Sequence, residues 1–173
     1  MSGGILTVRR MEKGDVPRVR EIERQCFSDL WPADGFDREL ENEKVAFYIV
    51  ADLDGMVIGY MGAWLILEEA HVTTFGVDPE YRNRKVASTL MLCFMREAVS
   101  KGSHWSTLEV SEINEHAIRL YSRFGYKTVS KRRKYYGENE DGLLMWVGGM
   151  QNSDFSKMLD EIETEISPEG CQK

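Results

Sequence analysis

EAHVTTFGVDPEYRNRKVASTLMLCFMREAVSK, running from Glu69 to Lys101, reads as an apolar strand, a turn, a basic loop and an amphipathic helix. Asp78-Pro79-Glu80 ends the strand, because proline fixes φ and brings no ladder donor, and Tyr81 to Arg84 lead into the helix. Val86, Leu90, Phe94 and Ala98 recur at helical spacing as a buried stripe, with Arg96, Glu97 and Lys101 outside it and Gly102 as the C′ residue. The first amides of such a helix have no partner within it. With Arg82, Arg84 and Lys85 beside them, they are suited to an anion such as a phosphate or pyrophosphate.

Upstream, Ile5 to Arg9 reads as a strand, and Asp15 with Pro17 starts a helix whose apolar face is Val16, Val19, Ile22 and Cys26. Phe27 to Gly35 is a loop that carries large apolar side chains among turn residues. A short polar helix follows from about Phe36 to Glu43. Val45 to Leu67 contains two β-type runs joined at Asp54-Gly55, a hairpin signal, with Gly59 and Gly62 as bulge positions. Downstream, His104 to Val110 alternates, with Trp105, Thr107 and Glu109 on one face and Ser106, Leu108 and Val110 on the other. Asn114 caps a helix with Ala117, Ile118, Tyr121 and Phe124 inside and Gly125 at its end. Tyr126 to Tyr136 and Gly142 to Val147 close the pattern as two strands. The order β-α-α-β-β-β-α-β-α-β-β predicts an α/β fold, a mixed central sheet with helices on both faces.

At 173 residues, with 42% hydrophobic and 10% aromatic side chains, the chain suits one domain with an ordinary core, over residues 1–150. Residues 151–173 differ in kind. Phe155, Met158, Leu159, Ile162 and Ile166 form a helical stripe among acidic residues, and Ser167 to Gly170 reads as disordered. That helix is expected to pack back on the domain. No signal peptide or membrane-length apolar run is present, so a cytoplasmic protein without a membrane partner is expected. Cys26, Cys93 and Cys171 are odd in number and far apart, which suggests neither a disulfide framework nor a structural zinc site. The net charge of −7 disfavours nucleic acid and draws in basic partners. The basic run Lys131 to Lys134 reads as a solvated strand. His71, His104 and His116 show no metal spacing and read as core or surface histidines.

Two motifs carry a family resemblance. Arg82-Asn83-Arg84-Lys85-Val86-Ala87 resembles the acyl-CoA pyrophosphate loop of the GNAT superfamily of N-acetyltransferases, Q/R-x-x-G-x-G/A, with Lys85 in place of the first glycine. Leu108-Glu109-Val110, Asn114, Ala117-Ile118, Leu120-Tyr121 and Phe124-Gly125-Tyr126 are similar in residues and spacing to the RimI branch, the ribosomal-protein N-terminal alanine acetyltransferases. That branch carries L-E-V-R-x-x-N-x-x-A-I-x-L-Y-x-x-x-G-F, and here Ser111 replaces its arginine and Tyr126 its terminal phenylalanine. The resemblance covers roughly Leu6 to Val147 and leaves out the tail.

It implies an acetyl-CoA-dependent N-acetyltransferase without a metal. By that likeness, the amides of Asn83 to Ser88 hold the pyrophosphate, Phe75, Gly76 and Val77 border the pantetheine arm, and Asn114 bonds it. Lys85 is expected to keep a helical backbone and turn its ammonium toward a phosphate. Glu109, near the C-terminal end of its strand, is the candidate base for the acceptor ammonium. Tyr121 is the candidate acid. Its phenol (pKa about 10) protonates a thiolate whose acid has a pKa of about 8.5 only with help, so hydrogen-bond stabilisation describes it better. Phe27, Leu30, Trp31 and Tyr136 are candidate acceptor contacts. The acceptor implied is a protein N-terminal α-amine, of a ribosomal protein among others. At a pKa near 8, about a tenth of such an amine is already neutral at pH 7. A small-molecule amine acetyltransferase and a non-catalytic acyl-CoA-binding module stay open.

Overall fold

The computed structural model describes residues 4–28 and 30–166. Seven strands form one sheet in the order β1-β2-β3-β4-β5-β7-β6. These are β1 (Leu6–Arg10), β2 (Ala46–Leu53), β3 (Met56–Ile66), β4 (Glu69–Val77), β5 (Trp105–Ser111), β6 (Lys127–Gly137) and β7 (Glu140–Val147). Only β4 and β5 run parallel; every other neighbouring pair is antiparallel. The helices are α1 (Val16–Cys26), α2 (Gly35–Glu41), α3 (Val86–Ser100), α4 (Glu115–Arg123) and α5 (Ser153–Ile166). The element order and the mixed sheet covered on both faces match the expectation.

The period-two alternation of β2 divides the core. Tyr48 and Val50 face α1 and α2, where they pack with Val19, Ile22, Phe36 and Tyr60. Phe47, Ile49 and Ala51 point the other way, into a cluster with Leu90, Phe94, Phe124 and Leu159 from α3, α4 and the region of α5. The apolar stripe of α5 therefore lies in the main core, with Phe155, Leu159 and Ile162 buried. Arg96 of α3 pairs with Asp160 and Glu163 at 2.7 Å each. Ser167 to Gly170 lie outside the described residues. No helix among the described residues is long and apolar enough to cross a membrane.

Local chemistry accounts for the corners. Asp54 and Gly55 both take positive φ, as a two-residue hairpin turn requires. The two bulges fall beside the expected glycines rather than on them. The extra residues are Ile58, next to Gly59, and Thr73 of β4, opposite Gly62. Asp15 stands at the start of α1, but its carboxylate turns back to the Glu12 amide and to Arg9 instead of capping the helix. Asn114 does cap α4, accepting from the Ala117 amide at 3.2 Å. Cys26 is a free thiol, whereas Cys93 is disulfide-bonded, a departure from the expectation of unlinked cysteines.

Gly62 is required by close approach: a Cβ there would stand 2.2 Å from the buried Tyr48 ring, whose hydroxyl bonds Thr73 at 2.9 Å. Gly62→Ala is therefore expected to cost about 1–3 kcal/mol through displacement of that ring. Gly14→Ala, with nothing within 4 Å of the added Cβ, is expected to be near neutral. Urea melts of the two variants check the contrast, and equal midpoints would show that Tyr48 yields without cost.

Candidate active site

β4 and β5 stay paired for only three residues, Glu69 with Trp105, Ala70 with Ser106 and His71 with Thr107. Beyond them β4 continues paired to β3 alone and β5 to β7 alone, so the sheet opens between Val72–Val77 and Leu108–Ser111. The vertex is held by Ser106, which is fully buried. Its hydroxyl donates to the Ala70 carbonyl at 2.6 Å, so toward the Tyr126 hydroxyl, also at 2.6 Å, it accepts. Burial raises the Tyr126 pKa, which keeps that phenol a donor. Past the vertex the rings of Phe75 and Tyr121 lie 6.3 Å apart, with Tyr126 5.9 Å from Tyr121.

At the end of β4 the chain turns through Pro79–Tyr81 into the basic loop. Arg82 is extended, Asn83 is left-handed (φ 60°), and Lys85 is left-handed again (φ 64°) immediately before α3. The first α-helical bond is Thr89 N–H to Lys85 C=O, at 2.9 Å, so the amides of Val86, Ala87 and Ser88 precede it. The expected helical backbone at Lys85 is thus overturned. The turn demands the conformation that glycine adopts freely, and Lys85 holds its Cβ there at a cost of about 1 kcal/mol. Its ammonium is not turned to the loop either; it donates to the Glu165 carbonyl near the end of α5, at 2.6 Å. Arg84 lies over the Tyr81 ring, and Arg82 reaches the Cys26 sulfur at 3.5 Å. Cys26 Sγ in turn donates to the Val77 carbonyl at 3.3 Å, so α1 ends at the mouth of the opening.

Across the opening, Glu109 lies half-buried on β5 with Trp105 and Thr107 on the same face. Arg132 Nη1 is 3.4 Å from its Oε1. The Tyr135 phenol lies against the same carboxylate, which holds the phenolic proton in place and raises that pKa. Tyr136 is pushed up to about 12, by burial first and then by Tyr135 and Glu109. Tyr121 is raised by burial and by the nearby Tyr136. Of the expected residues, Phe75 and Tyr121 are therefore in ring contact, and Tyr136 is near enough to Tyr121 and to Glu109 to interact electrostatically with each. Tyr135 and Tyr136 are placed by a bulge in β6, where residues 133–136 oppose a single β7 residue between the pairs Arg132–Gly142 and Gly137–Glu140. Lys134 turns left-handed in it (φ 57°) and gives its amide to Asp141 Oδ1 at 2.7 Å, while the Tyr135 side chain lies over Gly142.

The other expected acceptor contacts divide. Phe27 and Leu30 are 41% and 43% exposed, whereas Trp31 stacks on Phe36 at 5.0 Å and is part of the core. Asn114, exposed, uses its side-chain oxygen as the α4 cap.

His71, read from sequence as a core or surface histidine, belongs to this face. Thr107 Oγ1 donates to Glu69 Oε1 at 2.7 Å and is 2.7 Å from His71 Nδ1. A hydroxyl has one proton to give, so His71 Nδ1 donates. The signal was the strand alternation, but only the β4–β5 register places Thr107 beside His71.

A splayed sheet, a basic loop at a helix N-terminus and a half-buried carboxylate thus border one opening. The Acetyltransferase (GNAT) family model matches residues 16–126. The chain belongs to that family. Acetyl-CoA is the acyl donor of such enzymes, and their chemistry is N-acetyl transfer. A Bacillus subtilis protein provisionally named a ribosomal protein bS18-alanine N-acetyltransferase is 36% identical over 141 residues, 81% of this chain and 93% of that protein. The N-alpha-acetyltransferase RimI of Mycobacterium tuberculosis is 34% identical over 140 residues, 76% of this chain and 84% of its own. The crystal structure of the Escherichia coli ribosomal-protein-S18-alanine N-acetyltransferase superposes with a TM-score of 0.77, at 23% identity, covering 84% of this chain and 94% of that one.

Past His71 the β4 edge has no ladder pairs with β5, and the amides of Val86, Ala87 and Ser88 precede the first bond of α3. At Lys85 two substitutions separate backbone from charge. Lys85→Ala and Lys85→Gly both lose the contact to Glu165, but only glycine relieves the left-handed Cβ. The glycine variant is expected to be more stable than the alanine variant by about 1 kcal/mol, or about 2–4 °C in Tm. Calorimetry checks it, and an alanine variant at least as stable would show that this backbone is not strained.

Proposed function

We propose that this protein acetylates the N-terminal α-amine of a protein substrate, with Glu109 as the proton acceptor and Tyr121 as the hydrogen-bond donor to the departing sulfur. The observation that supports the reading is the opening between β4 and β5, with Glu109 half-buried on β5 at one side and Phe75, in ring contact with Tyr121, on β4 at the other. The named relatives, which act on ribosomal-protein alanines, support the choice of acceptor and make a ribosomal protein the first class to try. The thioester supplies an activated acetyl carbon, at which the amine nitrogen forms its bond as the carbon–sulfur bond breaks.

The residues divide the remaining work. The amides of Asn83 to Ser88 bind the pyrophosphate, where the α3 dipole favours negative charge. The exposed edge of Phe75, Gly76 and Val77 receives the pantetheine arm as an added strand and aims a backbone amide at the carbonyl oxygen. Asn114 bonds that arm from the other side. The acceptor ammonium takes the place of the Arg132 guanidinium beside Glu109 and gives the carboxylate its proton, directly or through a water. Tyr136, exposed and near Tyr121 and Glu109, is a contact for the acceptor. Tyr121 has its pKa raised by burial, so it remains a phenol throughout and stabilises the thiolate by donating a hydrogen bond.

Glu109→Gln is expected to keep acetyl-CoA affinity and lower kcat by about 10²–10⁴-fold at neutral pH, with partial recovery at high pH as the amine deprotonates unaided. Thiol release with peptides varied at their first residues checks it, and wild-type turnover in the variant sinks the assignment. Tyr121→Phe is expected to leave acetyl-CoA binding intact and slow the transfer step in single-turnover measurements. An unchanged rate would return Tyr121 to a packing role. Preference for polyamines over every peptide would move the acceptor to the small-molecule class.

A further inference from the structure

Glu23, on α1, is a carboxylate 2% exposed within an otherwise apolar cluster. A charge so placed costs several kcal/mol unless it is fully bonded, so its partners identify its work. Glu23 Oε1 accepts from the Trp31 backbone amide at 2.6 Å, and Oε2 accepts from Arg20 Nη1 at 3.0 Å. The same Arg20 nitrogen donates to the Trp31 carbonyl at 2.8 Å and lies 3.3 Å from the Pro32 carbonyl. Both backbone groups of Trp31 are thus held by one buried ion pair. Its ring is held as well, stacked on Phe36 and edge-on to Tyr48, and Tyr48 bonds Thr73 at the β4 bulge.

We infer that the Glu23–Arg20 pair is a positioning device that clamps Trp31 and Pro32, at the α2 side of the α1–α2 connection, to the sheet, so that the adjoining Leu30, with Phe27 at the end of α1, stands as a wall of the acceptor cleft. The loop begins where Cys26 touches Val77 at the mouth of the opening, and its exposed apolar side chains lie between that point and the clamped Trp31. A loop ordered before the acceptor arrives spares binding the cost of fixing each side chain, about 0.5–1.5 kcal/mol apiece. The pair therefore acts on acceptor affinity and leaves the acyl donor and the transfer step alone. This rests on the reading of Phe27 and Leu30 as acceptor contacts.

Glu23→Gln tests it in the full-length protein. The carboxamide oxygen can still accept from Trp31, but its NH2 meets the Arg20 guanidinium donor to donor, so the clamp opens. Arg20→Lys keeps the charge and loses the guanidinium fork, and Glu21→Gln, an exposed carboxylate on the same helix, is the control. The acceptor used is whichever amine the wild-type protein acetylates, at saturating acetyl-CoA. Expected for Glu23→Gln are an acceptor KM raised about tenfold or more, kcat within about threefold and acetyl-CoA Kd within about twofold. Hydrogen exchange over residues 27–34 is expected to quicken at least tenfold, to a smaller degree in Arg20→Lys, and not in Glu21→Gln. Faster exchange with an unchanged KM would show that the loop is no acceptor wall, and unchanged exchange that the pair fixes nothing. Should Glu23→Gln fail to fold, Arg20→Lys decides by the same two readings. A wild-type enzyme that acetylates only small amines overturns the α-amine proposal, and the clamp is then judged with that amine.

Discussion

The brevity of one parallel pairing governs this molecule. β4 and β5 share three residue pairs, and the twist that every strand carries then has room to separate them. Separation would expose backbone groups and let the sheet slide, so the vertex needs a fixed point. Ser106 supplies it, joining the β4 backbone to a buried tyrosine through one hydroxyl that both donates and accepts. Positions along the opening are then set by distance from that point. Glu109 is three residues beyond it on β5, Phe75 five residues beyond Ala70 on β4, and α3 starts past the far end of β4.

Backbone in the left-handed region concentrates at the working corners. Among the described residues other than glycine, positive φ occurs at Asp54 and Leu67 in hairpin turns, at Asn83 and Lys85 in the basic loop, and at Lys134 in the β6 bulge. The last three lie in the basic loop before α3 and in the bulge that carries Tyr135 to Glu109, and strain of this kind persists where surrounding contacts over-determine it. In the basic loop those contacts reach into α5. Lys85 donates to the Glu165 carbonyl and Arg123 pairs with the Glu165 carboxylate. The negative end of the α5 dipole thus already partly satisfies Lys85 and Arg123.

Periodicity made most of the architecture legible: each helix stripe and each alternating strand fell where local chemistry placed it, and the Asp54-Gly55 turn fixed the hairpin. The site was legible in part, through Glu109 on the polar face of β5 and Tyr121 on the inner stripe of α4. What escaped depended on register. His71 could be placed on a strand face but not beside Thr107, because the pairing of β4 with β5 joins residues far apart in the chain. The β6 bulge was hidden for the same reason, since RRKYYG alternates like any strand until Gly142 is seen beneath Tyr135. Lys85 misled for a different cause. Its helix pattern begins one residue later, and sequence alone does not distinguish the last turn residue from the first helical one.

The environments of Glu109 and Tyr121 explain why the two sides of the opening do unlike things. Glu109 is half-buried and meets a guanidinium and a phenol, groups that a bound ammonium can displace or join, so it can exchange partners with the acceptor. Tyr121 is enclosed by Phe75, Tyr126 and Tyr136, and burial makes its anion so unfavourable that the proton stays. A thiol pKa near 8.5 means that a departing thiolate needs only a modest donor to be stabilised at neutral pH, and a phenol held in place provides one. Full proton delivery can follow from solvent after the amide has formed. In the proposed reaction the demanding proton transfer is then on the amine alone, and the half-buried Glu109 carboxylate is the group assigned to it.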